Sequence, residues 1–554
     1  MIPERYTPEL IEEYTSKGYW RPITFPHFWE RNAILFPDKE ALVDSRTRLT
    51  WAQAMRLIDR MALGLVELGI KRDELVLTQL QMCVEYYLLR TALEKAGIIH
   101  LPILRSYRHD EVEHFATRIS AVAIFTPWKL RGFDHFQMME ELRPRLPQLR
   151  HVIVVGDEVP QGAISLKKMM ETPLEEKYPP DYLDSRRFRY NELSWLLSTT
   201  GTTGAPKLIE HAPCHRVYQS EIWIELAKLT ADDVTIVSGP SPAGPNNPAF
   251  FWAPMVGARI VMLEIWDPEE ALKLIEKEKV TILGGTPSQI ALMLNVPNFD
   301  KYDVSSVRFI PTTGSGLPHR IAEEAEREFG CPIINIFGGA ETGGIATFNP
   351  LDAPFEHRVA TVGKPKPGNE VRLVDEHGRD VPEGEIGEVV FRGPSIAPGF
   401  YQDPERNREE YVDGVWIKTG DQGRWDEHGN LMIVGRIKDI IIRAGQNIFP
   451  GEIENLLFTH PKVANVVIVG MPDPVMVERA CAYVVPKKDE NFTFDDMVSF
   501  LKGKVASYKL PERLETMDEL PLVGGGSAMA KVDKELLRAD IIEKLKKEGK
   551  LSDT

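Results

Sequence analysis

Cysteine is scarce: Cys83, Cys214, Cys331 and Cys481 are the only four in 554 residues. None stands at ligand spacing from another, which argues against a zinc centre, and their scatter argues against a disulfide framework. Positive charge is also short. Lys and Arg total 66 against 82 Asp and Glu, a formal net charge of −16. That balance argues against nonspecific nucleic-acid binding, which needs cations to displace phosphate counterions. It leaves room for one local basic site that takes a small anion. Long hydrophobic runs are missing as well: no apolar stretch approaches the ~20 residues of a membrane span. The opening Met1-Ile2-Pro3-Glu4-Arg5 lacks the basic start and apolar run of a secretory signal. The expectation is a cytoplasmic enzyme.

What is present is ordinary globular material, 43% hydrophobic and 27% charged, long enough for several units of about 150 residues each. The first half alternates helices with short buried strands. Trp51 to Leu68 has apolar residues at helical spacing. Val152 to Gly156 and Val280 to Gly284 read as parallel strands closing at glycine, and Pro268 to Glu278 as an exposed crossover helix. This alternation predicts an α/β fold with parallel sheets covered on both faces. After about Pro350 the pattern changes to short strands between Gly, Pro, Asp and Asn turns, including Glu388 to Phe391 and Asn430 to Val434. A small antiparallel β unit is expected there. A compact α+β segment follows, with a helix over Glu452 to Phe458 and a strand over Ala464 to Val469. The boundary is placed near Lys438.

Four segments carry chemistry. Thr199-Thr200-Gly201-Thr202-Thr203-Gly204-Ala205-Pro206-Lys207 offers consecutive backbone N–H groups and hydroxyls to a polyphosphate, with Lys207 adding a point charge. Pro206 before the lysine separates it from a Walker loop, and a flexible surface turn is the alternative. Asn335-Ile336-Phe337-Gly338-Gly339-Ala340-Glu341 is a strand running into a glycine turn. Its carboxylate suits Mg²⁺, a hard cation that takes oxygen ligands and substrate phosphates, although a solvated Glu explains it equally. Asp421, in Trp416-Ile417-Lys418-Thr419-Gly420-Asp421, can accept from ribose hydroxyls or simply bond its own turn. The fourth segment runs from Gly435-Arg436-Ile437-Lys438-Asp439 to Pro450-Gly451-Glu452, ending in a helix with acidic residues in its first turn, where the dipole favours them.

In this order and spacing the four motifs resemble the adenylate-forming superfamily of acyl-CoA synthetases, nonribosomal peptide adenylation domains and beetle luciferases. The resemblance runs from about Thr24 to Leu537. It implies a large N-terminal domain (1–437) of parallel α/β sheets plus a small β-barrel, joined by a hinge to a smaller, mobile α+β C-terminal domain (438–554). It implies that Thr199 to Lys207 embraces the β- and γ-phosphates of ATP and that Glu341 helps hold Mg²⁺. Phe337 would stack on adenine beside Gly338, Gly339 and Ala340. Ser315, in Thr313-Gly314-Ser315-Gly316, would line the nucleotide and acyl pocket. Asp421 and Arg436 would contact the ribose, and Lys438 would be the hinge. The catalytic lysine near the C-terminus matches Lys531 by its Lys-Val-Asp-Lys tail, with Lys534 as the other choice. Ala530 replaces the usual glycine, and the glycine-rich loop before it is about four residues long for the pattern.

Leu208-Ile209 and Ala340 lean toward the branch that activates aryl acids. The segment Ser241-Pro242-Ala243-Gly244-Pro245-Asn246-Asn247 lacks the histidine with which that branch lines its acid pocket, so an aryl or alicyclic acid without an ortho-hydroxyl is equally expected. Phe250, Phe251 and Trp252 are either an acyl wall or core. The acceptor is expected to be CoA, with a carrier protein as the alternative. His211 and His215 lack the glutamate of a zincin pair, and with Pro213 between them read as loop or packing residues. A nucleotide-binding protein that has lost catalysis and a luciferase-like oxidation are the remaining readings.

Overall fold

The computed structural model describes residues 1–199, 206–238, 249–522 and 532–551. Its largest sheet has seven strands, in the order Lys207–His211, Trp195–Thr199, Ile99–Pro102, Leu75–Thr78, Ala123–Pro127, His151–Val155 and Ile164–Ser165. Every neighbouring pair is parallel except the first two strands, which run antiparallel. Leu75–Thr78 and Ile99–Pro102 are buried along their whole length, as apolar strands covered on both faces must be. One cover is helix Trp51–Glu67, whose cap Thr50 accepts from the Gln53 N–H at 3.3 Å. Another is helix Val84–Ala96, ended by Gly97 at φ +71°. The latter is buried almost throughout, Arg90 and Glu94 included.

A second sheet places Val234–Ser238, Arg259–Leu263 and Glu40–Val43 in parallel, with Arg48–Thr50 antiparallel at the edge. The expected strand at Val280–Gly284 is reduced to isolated parallel bridges, Thr235 to Ile282 and Ile282 to Phe309. Gly285 adds one more parallel bridge, to Thr312, before Thr286 caps helix Pro287–Leu294. Strands Ile310–Thr312 and Ile333–Asn335 pair in parallel beyond these bridges. Helix Pro268–Glu278 matches expectation: Asp267 accepts from the N–H groups of Glu269 and Glu270, both at 2.9 Å.

The antiparallel unit contains Glu370–Val374, Gly387–Arg392, Trp416–Trp425, Tyr411–Val412 and Leu431–Arg436. It is stitched to the edge of the large sheet. Ile209 bridges Phe400, the Glu210 N–H donates to the Gly399 carbonyl at 2.9 Å, and the Tyr401 N–H to that of Leu208 at 2.8 Å. The last sheet is built on the hairpin of Val463–Asp473 and Val477–Pro486, with Ile441–Arg443, Gln446–Ile448 and Arg513–Thr516 beside it. Helices Pro450–Leu457, Phe494–Leu501 and Lys534–Lys547 complete this α+β region. Among the described residues no helix is long and apolar enough to cross a membrane.

Candidate active site

Lys207 begins the edge strand of the seven-stranded sheet, Glu341 lies in the turn between two short paired strands, and Asp421 and Arg436 belong to the antiparallel unit. Thr199 and Lys207 are register partners, so Thr200, Gly201, Thr202, Thr203 and Gly204, which lie outside the described residues, connect two paired strand ends. Lys207 Nζ is 2.6 Å from Glu410 Oε1 and 5.5 Å from the Phe400 ring centroid. Glu410 was not singled out from the sequence. Its link to Lys207 spans 203 positions, over a third of the chain, and the stitched sheet edge brings them together.

Across the second sheet, Asn335 ends a strand and the chain turns back through Gly338–Gly339 paired with Gly344–Ile345. Thr342 locks this turn: its hydroxyl accepts from the Gly339 N–H at 2.8 Å and contacts the Gly344 carbonyl at 3.0 Å. A side chain at Gly343, φ +73°, would run into the Ser395 carbonyl, so glycine is required by space as well as conformation. Phe337 is half-buried and stacks on Phe391 at 5.9 Å between centroids, leaving part of its ring open. Ala340 is packed beside it. Glu341 is half-buried and enters no ion pair among the described residues. Those residues hold no cluster of three or more metal-ligating side chains. Mg²⁺ fits this donor set, because it is commonly held by one or two carboxylates together with substrate phosphates. Glu341 would hold it, and the ion would neutralise phosphate charge. Ser315 is exposed in the loop after Ile310–Thr312. The C-terminal region reaches that loop: a Cβ built on Gly316 would lie 3.7 Å from Asn455 Oδ1.

Asp421 and Arg436 are register partners, with Arg436 Nε 3.0 Å from Asp421 Oδ1. Directly after them Ile437–Asp439 forms a single 3₁₀ turn. There the Lys438 carbonyl accepts from Arg538 Nη2 at 3.3 Å, and burial leads in holding the Lys438 ammonium below its ordinary range. Lys531 lies outside the described residues. Lys534 begins the last long helix and pairs with Glu454 at 3.2 Å and Asp439 at 3.6 Å, a role within its own region.

Beneath the Glu341 turn lies a buried group that includes Arg90, Arg216 and Lys366, which the sequence reading did not single out. Of the two expected readings, loop or packing, His211 and His215 take the second: His211 ends a strand, and His215 sits in helix Pro213–Leu226, both buried. Pro213 starts that helix, at the position where a missing N–H costs nothing. Both imidazoles are fully buried and stack at 5.2 Å, continuing to Trp195 at 4.4 Å from His211 and to His100 at 6.0 Å from Trp195. Burial, reinforced by Arg216, holds both histidines well below their ordinary range and therefore neutral. Arg216 is buried, donates Nη1 to the Gly343 carbonyl and lies 4.0 Å from the Phe251 ring centroid. Arg90 lies 4.4 Å from the same ring. Phe250, Phe251 and Trp252 are buried in helix Ala249–Val256, with Phe250 stacked on Tyr87 at 3.8 Å. Lys366 is buried too, its Nζ 3.4 Å from the Gln219 carbonyl. The segment 241–247 lies outside the described residues.

Residues 29–401 match the family described as AMP-binding enzyme, and 452–526 match the AMP-binding enzyme C-terminal domain. The 2,3-dihydroxybenzoate-AMP ligase of Bacillus subtilis (strain 168) is 30% identical, covering 98% of both chains. The salicylyl-CoA synthase / salicylate adenylyltransferase of a Streptomyces species is 31% identical over 97% of this chain and 98% of its own. Among solved structures, the anthranilate CoA ligase AuaEII in complex with anthranoyl-AMP superimposes with a TM-score of 0.85 at 25% identity, over 95% of this chain and 98% of that one.

Proposed function

The chain belongs to the AMP-binding enzyme family of adenylate-forming ligases, and on that premise we propose that it is an AMP-forming acid–thiol ligase for an aryl or alicyclic acid, with CoA as acceptor. In the first step a carboxylate oxygen attacks the α-phosphorus of ATP, and the bond to pyrophosphate breaks. In the second the CoA sulfur attacks the acyl carbon, and AMP leaves.

The observation that supports this reading is that Lys207 and the Glu341 turn both abut the segment 397–410: Lys207 Nζ lies 2.6 Å from Glu410 Oε1, and the Ala397 N–H donates to the Glu341 carbonyl at 3.0 Å. A carboxylate is a weak nucleophile facing a negatively charged phosphate, so holding both anions in line converts an encounter into an oriented reaction. In this reading the segment from Thr199 to Gly204 and Lys207 hold the β- and γ-phosphates, and Lys531 approaches the reacting oxygens. Removing one such preorganised donor costs about 10²–10³ in rate. Phe337 faces adenine, Asp421 accepts from ribose hydroxyls, and no covalent enzyme intermediate is needed. Lys438 is the hinge about which residues 438–554 reorient between the two steps. CoA is favoured because the printed names of two relatives include CoA chemistry. Loading of a carrier protein is the second reading, favoured by Leu208, Ile209 and Ala340.

The test is acid-dependent exchange of labelled pyrophosphate into ATP across benzoates, cyclic carboxylates and fatty acids, followed by addition of CoA. Exchange with ring acids, then release of AMP and thioester, is the expected result. Exchange that CoA cannot turn over moves the acceptor to a carrier protein. ATP binding without exchange points to an acid outside the panel or to a disabled lysine loop, which chemically made acyl-AMP with CoA separates; failure of every acid, dicarboxylates included, and of supplied acyl-AMP overturns the ligase reading.

A further inference from the structure

The buried residues under the Glu341 turn do not balance in charge. Arg90, Arg216 and Lys366 are each at most 5% exposed. The one carboxylate acting on any of them is Glu94, on the helix of Arg90. Burial of Glu94 favours its neutral form, which weakens even that compensation. Among the described residues no carboxylate acts on Arg216 or Lys366. The segments outside the description near strand ends, 200–205, 239–248 and 523–531, contain no Asp or Glu at all. Burying a charge without a partner costs several kcal/mol, so a chain that retains such a group gains from it in another state.

The same place has an excess of unused hydrogen-bonding atoms. Arg216 Nε, Gln219 Nε2, His215 Nε2 and both ring nitrogens of His211 are buried with no partner among the described residues. Two donor groups converge there: a Cβ built on Gly344 would meet Arg216 Nη1, the atom bonded to the Gly343 carbonyl, at 2.9 Å and the unpartnered Gln219 Nε2 at 3.2 Å. Gly344, at φ +118°, stands three residues beyond Glu341, so the convergence adjoins the nucleotide site. The flanking surface is aromatic, formed by Phe251 and Trp195. A guanidinium, an amide and neutral imidazoles lacking acceptors, set against ring faces, together make a receptor for an acidic group carried on an apolar ring.

We infer that the acid activated by this enzyme bears a second acidic group, most simply a second carboxylate, held by Arg216 and Gln219 with Lys366 supplying further positive charge. This rests on the ligase reading: one carboxylate goes to the α-phosphate of ATP, while the other anchors the ring beneath Gly343–Gly344. Monocarboxylic ring acids would leave the guanidinium unpaired, and a site with an unpaired buried group rejects such analogues strongly.

The experiment compares benzoate and cyclohexanecarboxylate with the three positional isomers of the corresponding dicarboxylates and their monomethyl esters. Pyrophosphate exchange and ligand-induced thermal shift are measured for the wild type, Arg216→Gln, Arg216→Lys and Lys366→Met. At least one dicarboxylate is expected to exceed its monomethyl ester on the order of 10²-fold in kcat/KM, the scale of an unpaired buried charge. Arg216→Gln should abolish that preference through KM, and Arg216→Lys should recover part of it. A purely structural arginine would instead lower kcat for every acid alike. Monocarboxylates matching or exceeding every dicarboxylate in the wild type overturn the assignment while leaving the ligase standing. A dicarboxylate that stabilises the wild type but not Arg216→Gln, without exchange, supports the anion site, and failure of supplied acyl-AMP with CoA then overturns the ligase reading.

Discussion

Asp421 and Arg436 face each other across paired antiparallel strands, the carboxylate Oδ1 3.0 Å from the guanidinium Nε. The carboxylate is buried while the Arg436 side chain is 46% exposed. The pair therefore serves to aim Asp421 rather than to stabilise the fold, since ion pairs with an exposed partner contribute little. Asp421→Asn is expected to lower kcat/KM for ATP about ten- to a hundredfold, the scale of a hydrogen bond to a charged group. Arg436→Gln should cost activity while shifting unfolding free energy by less than about 1 kcal/mol. Steady-state kinetics with urea unfolding of the same variants checks both, and an unaltered ATP dependence in Asp421→Asn removes the ribose role.

Lys207 is held by Glu410 at 2.6 Å, so in the proposed reaction phosphate would have to compete with a carboxylate for it. Lys207→Ala is expected to slow adenylation by about 10²–10³, as loss of one preorganised donor does. Glu410→Gln should instead lower the KM for ATP with little change in kcat. An equal fall in kcat for both variants would mean that the two act only as a structural pair.

The two lysines near the C-terminus should separate cleanly. Lys531→Ala is expected to abolish adenylation while leaving thioester formation from supplied acyl-AMP. Lys534 is already engaged by Glu454 and Asp439, so Lys534→Met should lower stability and keep adenylation within about threefold, a change below 1 kcal/mol. The reverse pattern, measured by pyrophosphate exchange, transfers the catalytic role to Lys534.

Burial raises Glu94 from an ordinary value near 4.5 to about 7, against the opposing pull of Arg90 and the Phe25 N–H. Between those values the folded chain keeps a proton that the unfolded chain has lost. This group's contribution is thus full below the unfolded value, declines as pH rises toward 7, and stays reduced above it. Glu94→Gln retains an acceptor for the Phe25 N–H, 3.0 Å away, and removes the titration. Relative to the wild type it should gain stability across that window, at up to about 1.4 kcal/mol for each pH unit. Urea unfolding at several pH values checks this, and a difference independent of pH refutes it.

Local chemistry made much of the molecule legible. Helix Pro268–Glu278 is announced by an aspartate cap followed by proline, and the Gly338–Gly339 turn by residues that tolerate close backbone approach. The order of the motif segments carried the family resemblance. What escaped was nonlocal. Val280–Gly284 has strand composition, but its neighbours come from distant parts of the chain and touch it only at single bridges. Arg216 is buried against Phe251 of helix Ala249–Val256 and the Gly343 carbonyl, and Lys366 against the Gln219 carbonyl, contacts that come from distant parts of the sequence. Glu410 became a site residue for the same reason.

The stitching of Ile209 to Phe400 has a consequence for the birth of the protein. The two residues are separated by roughly 190 positions, a long-range pairing of the kind that slows folding. At synthesis rates of about 5–20 residues per second, the strand beginning at Lys207 emerges about ten to forty seconds before its partner exists. Through that interval Leu208 and Ile209 lie on an open sheet edge, a template for pairing with the wrong chain. The nascent polypeptide is therefore exposed to aggregation while the edge strand Lys207–His211 waits for the segment at 399–401, and a chaperone that shields this edge would raise the yield of folded protein.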